Sequence, residues 1–443
     1  MNTQPRPGTL RSWGNYPPFA QAPTLCHDRQ GLEAALDTLH QRHGATLAYG
    51  AGLSYGDICL AASDHVLHTR RLDRFLAADW ATGRLRAEAG MTLEAILAVA
   101  IPRGWFLPVT PGTKYITLGG AIANDVHGKN HHRRGTFGRH VTRLSLLRSD
   151  SGRQVCSPEE NTALFNATVG GLGLTGLIEW AEIALVPLNS SRIDAVTQRF
   201  DSLDEFFALS DELDERHEFC VSWVDCAATG RTTGRGVYMA GDFANEGPLE
   251  VATPRKMTVP LTPPVSLINK LSLRVFNELC WRKAPASRQQ DQVGYDPFFY
   301  PLDAILKWNR IYGRPGFQQY QALIPEAVAK DGIRALLAAI AESGTGSFLA
   351  VLKRCGAALS PGLMSFPKAG TTLALDFPQA NRLEAELFPK LDAIVRETGG
   401  RLYPAKDAHM SAADFRRSYP DWEALEEFRD PALLSRFWKR VTE

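Results

Sequence analysis

Three clusters of glycine constrain what this chain can fold into more than any other feature. Gly50, Gly52 and Gly56 form the first, Gly112, Gly119, Gly120, Gly128, Gly135 and Gly138 the second, and Gly170, Gly171, Gly173 and Gly176 the third. Glycine is costly to order and is placed where the backbone needs positive φ or must approach another group closely. Loops this rich in it predict main chain laid against a ligand. Successive N–H groups in such loops form an anion-binding concavity suited to a pyrophosphate.

Familiar nucleotide motifs do not account for these loops. Gly171-Leu-Gly-Leu-Thr-Gly176 matches G-x-G-x-x-G, but that fingerprint needs a helix directly after it. The following residues, Leu177 to Pro187, alternate and end in proline, which predicts a strand. A P-loop ending at Gly128-Lys129 would require glycine where Ala123 stands and serine or threonine where Asn130 stands. His127, His131 and His132 lie among Gly, Lys and Arg with no carboxylate beside them, and Arg133 and Arg134 oppose a cation, so no metal is expected.

Length and composition bound the remaining possibilities. At 443 residues, 44% hydrophobic and 22% charged, the chain is long enough for two or three globular units and too apolar for a disordered protein. A formal charge of +1 argues against a nucleic-acid binder. Seven scattered cysteines, an odd number without a C-x-x-C pair, predict a reduced, cytoplasmic protein. Met1 to Trp13 is polar and has no apolar run of the kind a secretory leader needs. The longest uncharged run, Asn161 to Ile178, contains four glycines and is no membrane span.

Helical spacing is expected over Gly31–Arg42, Thr92–Pro102 (with Thr92 as N-cap) and Ser202–Arg216. Strands are expected over Ala45–Tyr49, Cys220–Val224, Gly236–Met239, Ser347–Lys353 and Thr371–Phe377, with a strand and turn in Gly400–Met410 before a helical tail. Residues 254–290 differ in texture. Prolines come first, and then Leu267, Ile268, Leu271, Val275, Phe276 and Leu279 recur at helical spacing, with seven basic residues against Glu278 between 255 and 288. Two readings stay open: a basic amphipathic helix on an anionic membrane surface, or a surface helix packed on the core.

Two glycine loops, Tyr49 to Asp57 and Pro111 to Asn130, flank strand-like runs without opening a long helix. They resemble the FAD-binding loops of the vanillyl-alcohol-oxidase/p-cresol-methylhydroxylase superfamily. Within it, the second loop continued through His131 to His140 resembles the decaprenylphosphoryl-β-D-ribose oxidase family. The likeness extends through Ala167–Gly176, Trp308–Gln321, Leu375–Pro378 and Gly399–Asp407.

This resemblance implies an α+β, two-domain flavoprotein. An FAD domain over 1–188 would be completed by 401–443, and a substrate domain built on an antiparallel sheet over 189–400 would carry a mobile basic lid at 254–290. It implies noncovalent FAD held by Gly50, Ala51, Gly52, Leu53, Ser54, Tyr55, Gly56 and Asp57, by Gly112, Thr117, Leu118, Gly119 and Gly120, by Asn124, Asp125, Val126 and His127, and by Ile178 and Tyr403. Lys406, Tyr55 and His127 would be catalytic. Lys129, Arg310, Gln319, Gln321 and again Lys406 would meet substrate.

The implied reaction is oxidation of the 2-hydroxyl of a polyprenyl-phosphoryl ribose to a ketone, with the hydride passing to FAD. A short-chain reductase would consume the product on the way to an arabinose donor for the cell wall. Lys406 acts either as base, with a lowered pKa, or as a charge that stabilises reduced flavin and phosphate. The family has a cysteine where Ala374 stands, which implies insensitivity to inhibitors that bond to that thiol. A sugar-lactone or alditol oxidase using dioxygen, and a noncatalytic flavin- or lipid-binding protein, are the competing functions. Peripheral membrane contact is expected from the lipid substrate.

Overall fold

The computed structural model describes residues 10–443. Most of the polar N-terminal stretch on which the leader expectation rests lies outside the described residues. Three sheets organise the site, and together with the helices they make the expected α+β fold. The smallest is parallel, with Ala22–Leu25, His65–His68 and Ala48–Tyr49 side by side in that order. Parallel pairing requires a crossover, and the first is the helix Leu32–His43, closed by Gly44 at φ 74°. The strand expected from Ala45 is only Ala48–Tyr49, since the chain turns at once into the first glycine loop.

The second sheet is antiparallel, ordered Phe75–Asp79, Arg84–Glu88, Leu177–Ala184, Val141–Arg148, Gly152–Cys156. Leu177–Ala184 is its central strand, where a dinucleotide fingerprint would have required a helix. The expected helix cap is present: Thr92 accepts a hydrogen bond from the Ala95 amide at 3.2 Å and opens Leu93–Ala100.

The third sheet has eight antiparallel strands. Their order is Gln289–Gly294, Arg192–Phe200, Gly236–Phe243, Phe219–Val224, Ala350–Cys355, Gly370–Pro378, Phe317–Pro325 and Arg401–Leu402. Period-two alternation divides its residues between two faces. Tyr320, Ala322, Leu352, Leu373, Leu375 and Phe377 belong to the main core with the helices Leu203–Leu213, Ala329–Ser343 and Phe388–Glu397. The opposite face turns toward the glycine loops.

The segment expected to complete the FAD domain begins at residue 401. Arg401–Leu402 pairs with Ala322 and Leu323 and is an edge strand of the large sheet. Beyond it the chain returns to the N-terminal unit, with bridges from Leu433 to Thr46 and from Ser435 to Ala61. The return is locked by Arg440, whose guanidinium lies 2.9 Å from both Asp57 and Asp407.

Residues 254–290 pack with their polarity reversed. Met257–Thr258 pairs with Ile305–Leu306, and Asn269 caps the helix Lys270–Lys283. The helix is anchored by polar groups: Asn277 is fully buried and donates to Asp225 at 2.7 Å, and Glu278 pairs with Arg235. Its apolar stripe faces outward instead of packing on the core. Eight of the thirteen exposed large hydrophobic side chains among the described residues lie between 257 and 279, so the exposure is local to this segment. No helix among the described residues is long and apolar enough to cross a membrane.

Removing one partner from a buried ion cluster leaves the others unpaired, at a cost of about 3–5 kcal/mol. Arg440→Met is therefore expected to lower stability by about 3 kcal/mol, seen as a fall in the urea midpoint, with Arg440→Lys recovering part of the loss.

Candidate functional site

Between the glycine loops and the open face of the eight-stranded sheet lies one cavity of about 800 Å³, within the range of cofactor and ligand sites. The first loop runs along it from Gly50 to Tyr55. The loop's far end is pinned: Trp13 and Gly14 donate to the carbonyls of Ser54 and Tyr55, and the Tyr55 amide donates to the Ala405 carbonyl. Among the described residues, none of the five amides from Gly50 to Ser54 has a backbone or side-chain acceptor. Gly52 sits at φ 66°, and a Cβ there would lie 1.9 Å from the Tyr49 hydroxyl. The bend can therefore be made only by glycine, and it leaves a row of donors facing the cavity.

The second loop works differently. Thr117 caps the short helix Leu118–Ala123 by accepting from the Gly120 amide at 3.1 Å, and the Gly119 amide is used by the Ala89 carbonyl. These amides are spent within the protein. Gly119 and Gly120 instead allow close approach, and Gly112, Thr117, Asn124, Val126 and His127 line the same cavity. Ile178 and Tyr403 close its floor; Tyr403 stacks on Phe366 and donates to the Asn124 carbonyl at 3.0 Å.

The sheet supplies the reactive wall. Alternation brings Gln319 and Gln321 from one strand, Thr372, Ala374 and Asp376 from the next, and Val351 and Lys353 from the third to the cavity. Asp376 accepts from Gln319 at 2.6 Å, while its second oxygen is buried without a partner. Burial drives the Asp376 carboxyl above its ordinary range, partly offset by Gln319 and Lys406. Burial lowers the Lys406 ammonium, and Asp376 partly restores it. Lys406 lies 3.8 Å from the centre of the Tyr55 ring. The Tyr55 hydroxyl is held well above its ordinary pKa by burial and by Asp376, so it stays a neutral phenol.

His127 is kept neutral as well. Burial, then Lys353, His131 and Lys406, hold it well below its ordinary pKa. Gln321 approaches its Nε2 at 3.4 Å, and Nδ1 is left without a partner. Lys129 donates to the Phe298 carbonyl, and burial followed by Lys353 lowers it to about 7. Lys353 donates to the Gly128 carbonyl at 2.6 Å. Four lysines, Lys129, Lys307, Lys353 and Lys406, thus line the cavity against Asp376 and Asp303.

Five expected residues do not line the cavity. Asp57 is buried against Arg440, and Gly56 packs under Asp407, whose carbonyl a Cβ would meet at 1.7 Å. Leu118 is fully buried in the core. Asp125 points away and receives Gly138 at 2.8 Å together with Ser360 and Ser365, clamping the loop from behind. Arg310 donates to the carbonyls of Val259 and Pro260 and so holds the proline-rich segment instead of a substrate. In the other direction, Asp376 and Lys353 were not expected. Their signal was a charge at an inward position of an apolar strand. Ala374 does line the cavity, and Cys59 is the cysteine that lines it among the described residues.

The arrangement fits a dinucleotide. It has the unpartnered amide row, the close-approach surface, the unpartnered imidazole nitrogen and a cationic wall. Comparison with known proteins agrees. The family described as FAD binding domain matches residues 20–157. Decaprenylphosphoryl-beta-D-ribose oxidase of Mycolicibacterium smegmatis is 33% identical over 97% of this chain and 97% of its own. An uncharacterised protein of Streptomyces coelicolor is 32% identical over 77% of this chain and 94% of its own. Delta(24)-sterol reductase of Homo sapiens is 32% identical over 23% of this chain and 20% of its own, a likeness limited to one part.

Lys129 has a measurable consequence. Its pKa is about 7 in the folded chain against an ordinary 10.5, so between those values the unfolded chain binds the extra proton. Stability of the cofactor-free protein is expected to rise as pH increases across that window. Lys129→Met should stabilise the cofactor-free protein by about 1–4 kcal/mol at pH values below the window, and the gain should vanish above it, as read from urea midpoints.

Proposed function

The chain belongs to the decaprenylphosphoryl-β-D-ribose oxidase family, and we propose that it oxidises the 2-hydroxyl of a polyprenyl-phosphoryl-β-D-ribose to the ketone. It is an FAD-dependent oxidoreductase acting on a CH–OH group. The observation that carries the substrate reading is that Asp376 of the sheet wall and Lys406 of the turn Pro404–Lys406 line one cavity with the unpartnered amides of Gly50 to Ser54, Lys406 lying over the Tyr55 ring. The amides and the second loop would hold FAD noncovalently, with its pyrophosphate on the amide row. When bound, FAD supplies the hydride acceptor.

The chain's own residues handle the proton and the charge. Lys406, its pKa lowered by burial, has a neutral form within reach at working pH and would take the hydroxyl proton as the C–H bond is lost. Asp376 restrains that shift and, through Gln319, holds the wall in register. Tyr55, as neutral phenol, shields one side of the ammonium. Lys129 and Lys353, which line the cavity, would meet the anionic phosphate that joins sugar and lipid. His127, kept neutral, adds an unpartnered ring nitrogen for a polar contact.

The lipid part of the reading concerns residues 257–279. Their exposed apolar side chains and surrounding Lys and Arg suit the surface of an anionic bilayer, where a polyprenyl substrate resides. The Ile305–Leu306 strand lines the cavity and pairs with Met257–Thr258, which links that surface to the site. The ketone product calls for a reductase of the nicotinamide class to complete inversion at the carbon.

Purified protein is expected to carry flavin absorption that bleaches anaerobically on adding a prenylphosphoryl ribose; a coloured protein that does not bleach contradicts the assignment. Lys406→Met should retain the flavin while turnover falls about 10²- to 10⁴-fold. Vesicles containing anionic lipid should float the protein. A Leu271→Asp, Val275→Asp, Leu279→Asp triple variant should stay behind while still turning over a short-chain, water-soluble substrate.

A further inference from the structure

Behind the second glycine loop, the fold assembles a donor set that sequence adjacency hides. His132, Asp214 and Cys220 each bring one ligand atom to within 4.8 Å of the other two. They come from three elements: the turn His131–Arg134, the C-terminal end of the helix Leu203–Leu213, and the strand Phe219–Val224. His132 Nε2 meets the His217 carbonyl at 3.0 Å, which requires the proton on Nε2. Nδ1 is then a bare lone pair, and it is shut off from solvent with no hydrogen-bond partner. Metal-binding histidines are oriented in this way, with the second ring nitrogen donating to a backbone carbonyl.

The other two donors have comparable support. The Tyr238 hydroxyl donates to Asp214 at 2.5 Å, fixing the carboxylate. Asp214 follows the last turn of its helix, where the aligned peptide dipoles favour positive charge. Cys220 is buried, with its amide on the Lys129 carbonyl at 2.9 Å and its thiol donating to the Leu213 carbonyl at 3.7 Å, a proton it would give up on binding a cation. The two arginines that argued against a cation in the sequence are turned away. Arg133 donates to the Glu215 carbonyl, and Arg134 pairs with Glu218.

We propose that His132 Nδ1, the Asp214 carboxylate and Cys220 Sγ bind one divalent cation of the zinc class. A mixed nitrogen, oxygen and sulfur set of three with a fourth position for water is a recognised zinc arrangement. The ion would staple the cofactor loop to the strand whose Val221 and Trp223 line the cavity. The site is separate from the redox chemistry and stands whether or not the ribose assignment holds.

The test uses the full chain with its flavin, purified without chelator. About one zinc per chain should remain after dialysis. Exchange for Co²⁺ should give the intense d–d bands of a tetrahedral, thiolate-bound ion, at longer wavelengths than flavin absorbs. Cys220→Ser should lose the thiolate signature, and zinc should raise the thermal midpoint of the wild type but not that of His132→Ala. If the wild type holds no zinc and gives no tetrahedral cobalt spectrum, the proposal fails irrespective of how the variants fold. Metal uptake unchanged in Cys220→Ser would mark an adventitious ion only and would also overturn it.

Discussion

Five backbone donors in a row, those of Gly50 to Ser54, with no acceptor among the described residues are what the rest of this structure accommodates. The loop from Gly50 to Ser54 lines the cavity half-buried, and its end is pinned by Trp13, Gly14 and Ala405. Across the cavity, three lysines line a wall where burial opposes their charge. Two of these ammonium groups, those of Lys129 and Lys353, already donate to the Phe298 and Gly128 carbonyls. On the proposed reading a diphosphate would accept from the amides, and an anionic phosphate would add a counter-charge beside the lysines. Cofactor and substrate would then add to the stability of this fold as well as to its chemistry.

Much of this was legible in the sequence, for reasons that also mark where legibility ends. Thr92 announced its helix because an N-cap acts locally. The strand Leu177–Ala184 was legible from alternation, and rejecting a helix there removed the dinucleotide fingerprint. The glycine loops could be placed, but not every residue within them. A loop in contact with a ligand still turns half its side chains elsewhere, so Asp57 and Asp125 became anchors behind it. Asp376 and Lys353 stand in apolar strands, and their direction depends on register with neighbours far away in the chain. Arg310 shows the same limit, since its partners belong to the proline-rich segment 259–260.

The helix Lys270–Lys283 shows what a hydrophobic pattern can and cannot determine. Its stripe has the spacing of a core helix, yet the buried side holds Asn277 and the Glu278–Arg235 pair. Amphipathic period fixes that a helix has two faces, and tertiary polar contacts decide which one faces inward. Here Asp225 and Arg235 make that choice, and the chain is left with a concentrated apolar surface next to the cavity mouth.

The edge strand Arg401–Leu402 has a further consequence. It carries Tyr403 and Lys406 into a site begun by Gly50, so the pocket is closed by residues some 350 positions apart. Contacts that span such distances form late and slowly. During synthesis the nascent chain would display its glycine bends and greasy sheet face well before the closing segment clears the ribosome. The coenzyme pocket is therefore complete only once that closing segment has folded back.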